Sequence, residues 1–175
     1  MDLGTDQQRQ LIGFLADLAE VRYPGSLKAG GGSPADDIEF SFVHDGGLGL
    51  VWADPVQGQQ PWWLRLTAGV ATEIPAARHN DVLHWVNARN LALNSGTYLC
   101  LVHRETGEAS VIFSSNQMGT MFSFDSEAVR NWFASQLFTI AETSGPDGRA
   151  CVAQFGGRPF HPTEGGLLLA LSLAH

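Results

Sequence analysis

Apolar residues recur at helical spacing near the start of the chain, at Leu11, Phe14, Leu15, Leu18 and Val21, behind a capping box made by Thr5 and Gln8. The pattern predicts an amphipathic helix over residues 5–22, stopped by Pro24 and Gly25. LKAGGGSPADD then reads as a Gly-rich linker with few apolar anchors. From there helical spacing gives way to alternation. DIEFSFVH and LGLVWADP flank an Asp-Gly turn and predict a β-hairpin, and PWWLRLTAGV reads as a third strand. Helical spacing returns in HNDVLHWVNARNLAL, with Val82, Leu83, Val86 and Leu93 apolar and Asn94, Ser95 and Gly96 as the stop. TYLCLVHR and EASVIFSS enclose Glu105-Thr106-Gly107 as a second hairpin. A third helix follows in FDSEAVRNWFASQLFTIAETSG, capped by Asp125 or Ser126 and striped by Val129, Trp132, Phe133, Leu137 and Ile140.

The class is α+β, in the order αβββαββα: an antiparallel sheet of at least five strands, with the first and third helices packed on one face. Side chains alternate along a strand, so Trp62 and Trp63 cannot share one core. The helix-covered face is assigned Ile38, Phe40, Phe42, Leu48, Leu50, Trp52, Trp62, Leu64 and Leu66. Trp63 falls on the outer face with Arg65 and Thr67, with Val43 and Val51 beside it. One alternating set of the second hairpin, Leu99, Leu101 and Ile112 or else Cys100, Val102, Val111 and Phe113, shares that face. An apolar outer face calls for a cover: the tail GLLLALSLA, a second subunit or a ligand. Val43, Val51, Trp63 and Arg65 are therefore candidate partner-binding residues, with Met118 and Met121 as adaptable contacts from SSNQMGTMF, read as a loop.

The element order over roughly residues 5–143, with Asn87 and Asn90 in WVNARN leading to GTYLCLVHRETGEASVIF, resembles the type III secretion chaperone-like and YbjN-like family. That resemblance implies a small, ATP-independent chaperone domain over residues 1–145, which holds a peptide segment of a client protein. It also implies a homodimer, for which Val82, Trp85 and Val86 of the second helix are the candidate interface. The Gly-rich linker and a C-terminal extension over residues 146–175 depart from the family pattern.

Composition narrows the partners. At 175 residues and 44% hydrophobic, the chain has material for one well-filled domain. Its formal charge of −8, from 18 acidic and 10 basic residues, offers no electrostatic footprint for nucleic acid or an anionic membrane. MDLGTDQQRQ lacks a secretory pattern, GLLLALSLA is too short to span a bilayer, and Cys100 and Cys151 stand alone, so a cytoplasmic location is expected.

No catalytic pattern stands out. AGGGSPAD lacks the Lys-Ser/Thr of a phosphate loop, and GGLGL does not complete a dinucleotide fingerprint. His79 and His84 are five apart, off the spacing of a helical zinc pair, and no GxSxG elbow is present. No metal, cofactor or enzymatic activity is expected. Asp36, Asp37, Glu39 and Asp54 could meet in space, but acidic residues around Gly and Pro are ordinary loop chemistry. Alternatives to the client-binding reading are a small-molecule-binding or hydrolytic domain with a pocket between sheet and helices, or a structural oligomer subunit.

Overall fold

The computed structural model describes residues 3–28, 39–44, 47–53, 62–93, 95–119 and 127–172. The elements are α1 (Leu3–Arg22), β1 (Leu27–Lys28), β2 (Glu39–His44), β3 (Gly47–Ala53), β4 (Trp62–Ile74), α2 (His79–Asn90), β5 (Thr97–Val102), β6 (Ala109–Gly119), α3 (Glu127–Thr139), α4 (Gly145–Phe155) and α5 (Gly165–Ser172). The fold is α+β, and the six strands among the described residues form one sheet in the order β1-β2-β3-β4-β6-β5 with every neighbouring pair antiparallel. α1 starts ahead of the expected capping box, and β1 takes the first two residues of the expected linker. Residues 29–37 of that linker, Ile38 of the strand expected after it, and the expected caps Asp125 and Ser126 lie outside the described residues.

Four of the described helices cover one face. Leu11, Ile12 and Leu15 of α1, Val82 and Val86 of α2, Val129, Phe133 and Leu137 of α3, and Cys151 and Phe155 of α4 meet Phe40, Phe42, Leu64, Leu66 and Phe113 of the sheet. Full burial of each large aliphatic or aromatic side chain contributes about 1.5–3 kcal/mol. α5 lies on the opposite face, against β3 and β4.

The outer face differs from the one expected, and hairpin geometry is the reason. Two residues separate β2 from β3, and the ladder begins at His44 opposite Gly47. That register sets Phe40 opposite Val51 and Phe42 opposite Gly49. Directly opposed residues share a face, so Val51 belongs with Phe40 in the helix-covered core, where it is fully buried. Leu48, Leu50 and Trp52 turn to the other side and form a second cluster with Ile112, Phe160 and Leu168. The Phe42 ring lies over Gly49, where any Cβ would collide with it.

Residue 145, expected as a domain boundary, lies inside a helical run. α3 passes through a π-helical segment, Ile140–Ser144, straight into α4. The run ends at Gly156 and Gly157, whose positive φ angles of 83° and 85° turn the chain around the end of the sheet. Arg158 then exchanges two backbone hydrogen bonds with Thr72, N–H to O in both directions, at 2.8 and 2.9 Å. Residues 145–172 thus contribute Cys151 and Phe155 to the first core and Phe160 and Leu168 to the second.

On the far edge, Asn90 at the end of α2 meets strand β5. The Tyr98 backbone N–H donates to Asn90 Oδ1 at 2.6 Å, and Asn90 Nδ2 donates to the Tyr98 carbonyl at 2.9 Å. The Tyr98 side chain turns inward, packs against Trp85 and Phe113, and donates its hydroxyl to Asp147 Oδ2 at 2.9 Å.

Candidate functional site

The outer face of the sheet carries two kinds of surface. Leu48, Leu50, Ile112, Leu99 and Leu101 make an apolar half, beneath Phe160 and the Leu167, Leu168 and Leu171 side of α5. Next to it the ladder aligns Ser41 and Leu50 with Thr67, Ser114 and Thr97, and Trp52 with Arg65 and Asn116. The cover leaves polar groups unmet: Trp52 Nε1 and Thr67 Oγ1 are buried without a hydrogen-bond partner. A buried donor without a partner forfeits about 1–3 kcal/mol.

The segment bearing this cover is fastened by one arginine. Arg158 Nη2 contacts Glu164 Oε1 at 2.7 Å and Glu73 Oε1 at 2.6 Å, and its Nη1 donates to Glu164 Oε2 at 2.9 Å. The hydrogen bonds from Arg158, joined by one from the His161 backbone N–H, hold the Glu164 carboxyl down to about 2. Glu73 sits in a left-handed backbone conformation, φ 56°, at an irregular end of β4.

At the other end of the face, Val43 borders an open hollow of about 580 Å³ with Tyr23, Ser26, His44 and Pro162. Ser26 Oγ there is buried without a hydrogen-bond partner. Tyr23, Phe42 and His44 form an aromatic group beside it, with Tyr23 and Phe42 stacked at 5.8 Å.

A Ser-His pair escaped sequence inspection because its members are joined by a strand pairing rather than by a motif. His103 Nε2 lies 2.9 Å from Ser110 Oγ, which lies 2.8 Å from Thr72 Oγ1. Ser110 is fully buried, so a substrate carbonyl has no approach to its hydroxyl in this conformation. Burial also raises the thiols, Cys151 up to about 12 and Cys100 in the same direction, which suppresses thiolate chemistry. Among the described residues no cluster of three His, Cys, Asp or Glu side chains is placed to hold a metal ion, and no helix is long and apolar enough to cross a membrane.

The expected site residues are only partly brought together. Val43 and Arg65 lie on the outer face, half-buried. Val51 does not, because the hairpin register turns it into the first core. Trp63 lies on β4 opposite Met118, which places Met118 on a strand rather than in a loop, since β4 and β6 stay in register from Trp62 to Gly69. The side chains of Trp62, Trp63 and Met118, and the whole of Met121, lie outside the described residues. Of the expected dimer residues, Val82 and Val86 are buried in the chain's own core, because this stripe of α2 faces the sheet. Trp85 is half-buried, 5.8 Å from Tyr98 and edge-on to Phe155. No family model matches the chain, and no curated protein does either.

Proposed function

We propose that this chain is a non-enzymatic protein-binding module, a chaperone or adaptor of the type III secretion chaperone-like and YbjN-like kind, which shields an apolar segment of a client protein in the cytoplasm. One observation carries the reading: a hydrophobic cluster on the outer sheet face is covered by Phe160 and the eight-residue helix α5, joined to the fold through a surface arginine. A helix this short has little stability of its own. A client segment of similar character could replace it, and its peptide groups could also satisfy Trp52 Nε1 and Thr67 Oγ1. Val43 and Arg65 would border the bound segment. The homodimer belonging to this reading would use the exposed side of α2, where Leu83 is 45% exposed, because Val82 and Val86 are already buried.

The test compares the full chain with Arg158→Ala in slowing the aggregation of a thermally unfolding model enzyme, with a synthetic peptide of residues 160–175 as competitor. The expected result is stronger protection by Arg158→Ala than by the parent, reversed by the peptide. Failure of both proteins to protect the enzyme or to bind the labelled peptide overturns the reading.

A further inference from the structure

On the helix-covered side, away from the proposed client face, the end of α2, the end of α3 and the start of α4 enclose a cavity of about 290 Å³. Its lining joins Arg89, Ser95, Thr139 and Asp147 to the apolar Leu93 and Phe138. This is the lower end of the size range for small-molecule pockets. The three helical segments are held in place by a buried network. Asp147, 6% exposed, accepts from Arg89 at 3.2 Å through Oδ1 and from the Tyr98 hydroxyl at 2.9 Å through Oδ2.

The hydrogen-bonding capacity left over is mainly donating. Both Asp147 oxygens are engaged, whereas the Arg89 guanidinium, with five N–H groups, gives one nitrogen to Asp147. The Arg89 guanidinium carbon lies over the Trp85 ring, 5.3 Å from its centroid, and the side chain is 44% exposed, so its remaining N–H groups are accessible. Ser95 Oγ accepts from Gln136 Nε2 at 3.3 Å, which leaves its own hydrogen for a ligand, while Gln136 Oε1 is a buried acceptor without a partner behind it. Thr139 by contrast donates to the Ser135 carbonyl. Phe138, 63% exposed, stands at the cavity as a large apolar group.

From this lining we infer that the cavity binds a small organic carboxylate with a short apolar or aromatic tail. The planar fork of Arg89 matches a carboxylate in two-point contact, and the Ser95 hydroxyl adds a donor. Leu93 and Phe138 receive the tail. A phosphate dianion fits less well, because it leaves both apolar walls unused and brings a second negative charge toward Asp147 in a chain of net charge −8.

Calorimetric titration of the full chain at neutral pH, with acetate, butanoate and phenylpropanoate, their amides and inorganic phosphate, tests this. Affinity should rise from acetate to phenylpropanoate, and the phenylpropanoate amide should bind at least about tenfold more weakly than the acid. Phe138→Ala, at an exposed position, should remove the gain from the phenyl tail while acetate binding persists. Arg89→Lys, which keeps the ion pair with Asp147 but loses the fork, should weaken every acid about tenfold. The inference is overturned by any one of four results: no carboxylate binding at up to about 10 mM, phosphate binding as tight as the best carboxylate, an amide equal to its acid, or phenylpropanoate affinity unchanged in both variants. None of these outcomes bears on the client-binding face.

Discussion

The ring of Phe160 lies directly on Gly69, so that a Cβ at residue 69 would come within 2.4 Å of its Cδ2. The contact joins the C-terminal segment to the middle of β4. Gly69→Ala should therefore lower stability by about 1–3 kcal/mol in urea unfolding, as expected for overpacking. Combining it with Phe160→Ala should give less than the sum of the two single effects, since the collision disappears with the ring. Strict additivity would show that the two residues do not meet.

Acid should loosen the same segment. The Glu164 carboxyl is held at about 2 against an ordinary value near 4.5, so the folded form binds its proton more weakly than the unfolded form does. Its contribution is complete above about pH 4.5 and is lost as pH falls toward about 2. Between those limits, Trp52 fluorescence should shift to the red in the parent but much less in Glu164→Gln, where that titration is absent. Equal acid transitions in the two proteins would remove Glu164 from the latch.

Much of the fold was legible in alternation and helical spacing, including five strands, as two hairpins and a single strand between them, and three helices, whereas the tail was only one of three candidate covers for the outer face. The face that β3 shows the helices is the opposite of the one its alternation suggests, although the deciding fact is in the sequence. A two-residue Asp-Gly connection fixes His44 opposite Gly47, and that alone sends Leu50 and Phe40 to opposite faces. Apolar residues at both parities of β3, Leu48, Leu50 and Trp52 against Val51 and Ala53, mask that fact, because either set could fill a core. The network of Arg89, Tyr98 and Asp147 was not legible. Its members are far apart in sequence, and only the pairing of β5 with β6 and the continuation of α3 into α4 bring them together.

The two valines of the β2–β3 hairpin should separate stability from binding. Val51→Ala removes methyl groups from the first core and should cost about 2 kcal/mol in urea unfolding. Val43→Ala, half-buried at the hollow, should change stability by less than about 0.5 kcal/mol and weaken capture of the residue 160–175 peptide by the Arg158→Ala protein. The reverse pattern would place the binding surface elsewhere.

Tyr98→Phe should cost about 1 kcal/mol in stability, the net worth of a buried hydroxyl bond. Asp147→Ala should cost more, because it removes the partner of Arg89 and leaves the Tyr98 hydroxyl only the longer contact to Ser144 Oγ, at 3.4 Å. If Asp147→Ala proved no worse than Tyr98→Phe, the ion pair to Arg89 would add nothing to the fold.

The carboxamide of Asn90 takes the place a neighbouring strand would occupy at Tyr98, filling one donor and one acceptor on the open edge of the sheet. A half-exposed apolar strand such as TYLCLV is otherwise a template on which further copies can add strand by strand. One side chain, delivered by the end of a helix, interrupts that template at its second residue. Exchange of Asn90 for Leu would leave the helix able to form while opening the edge to fibrillar growth.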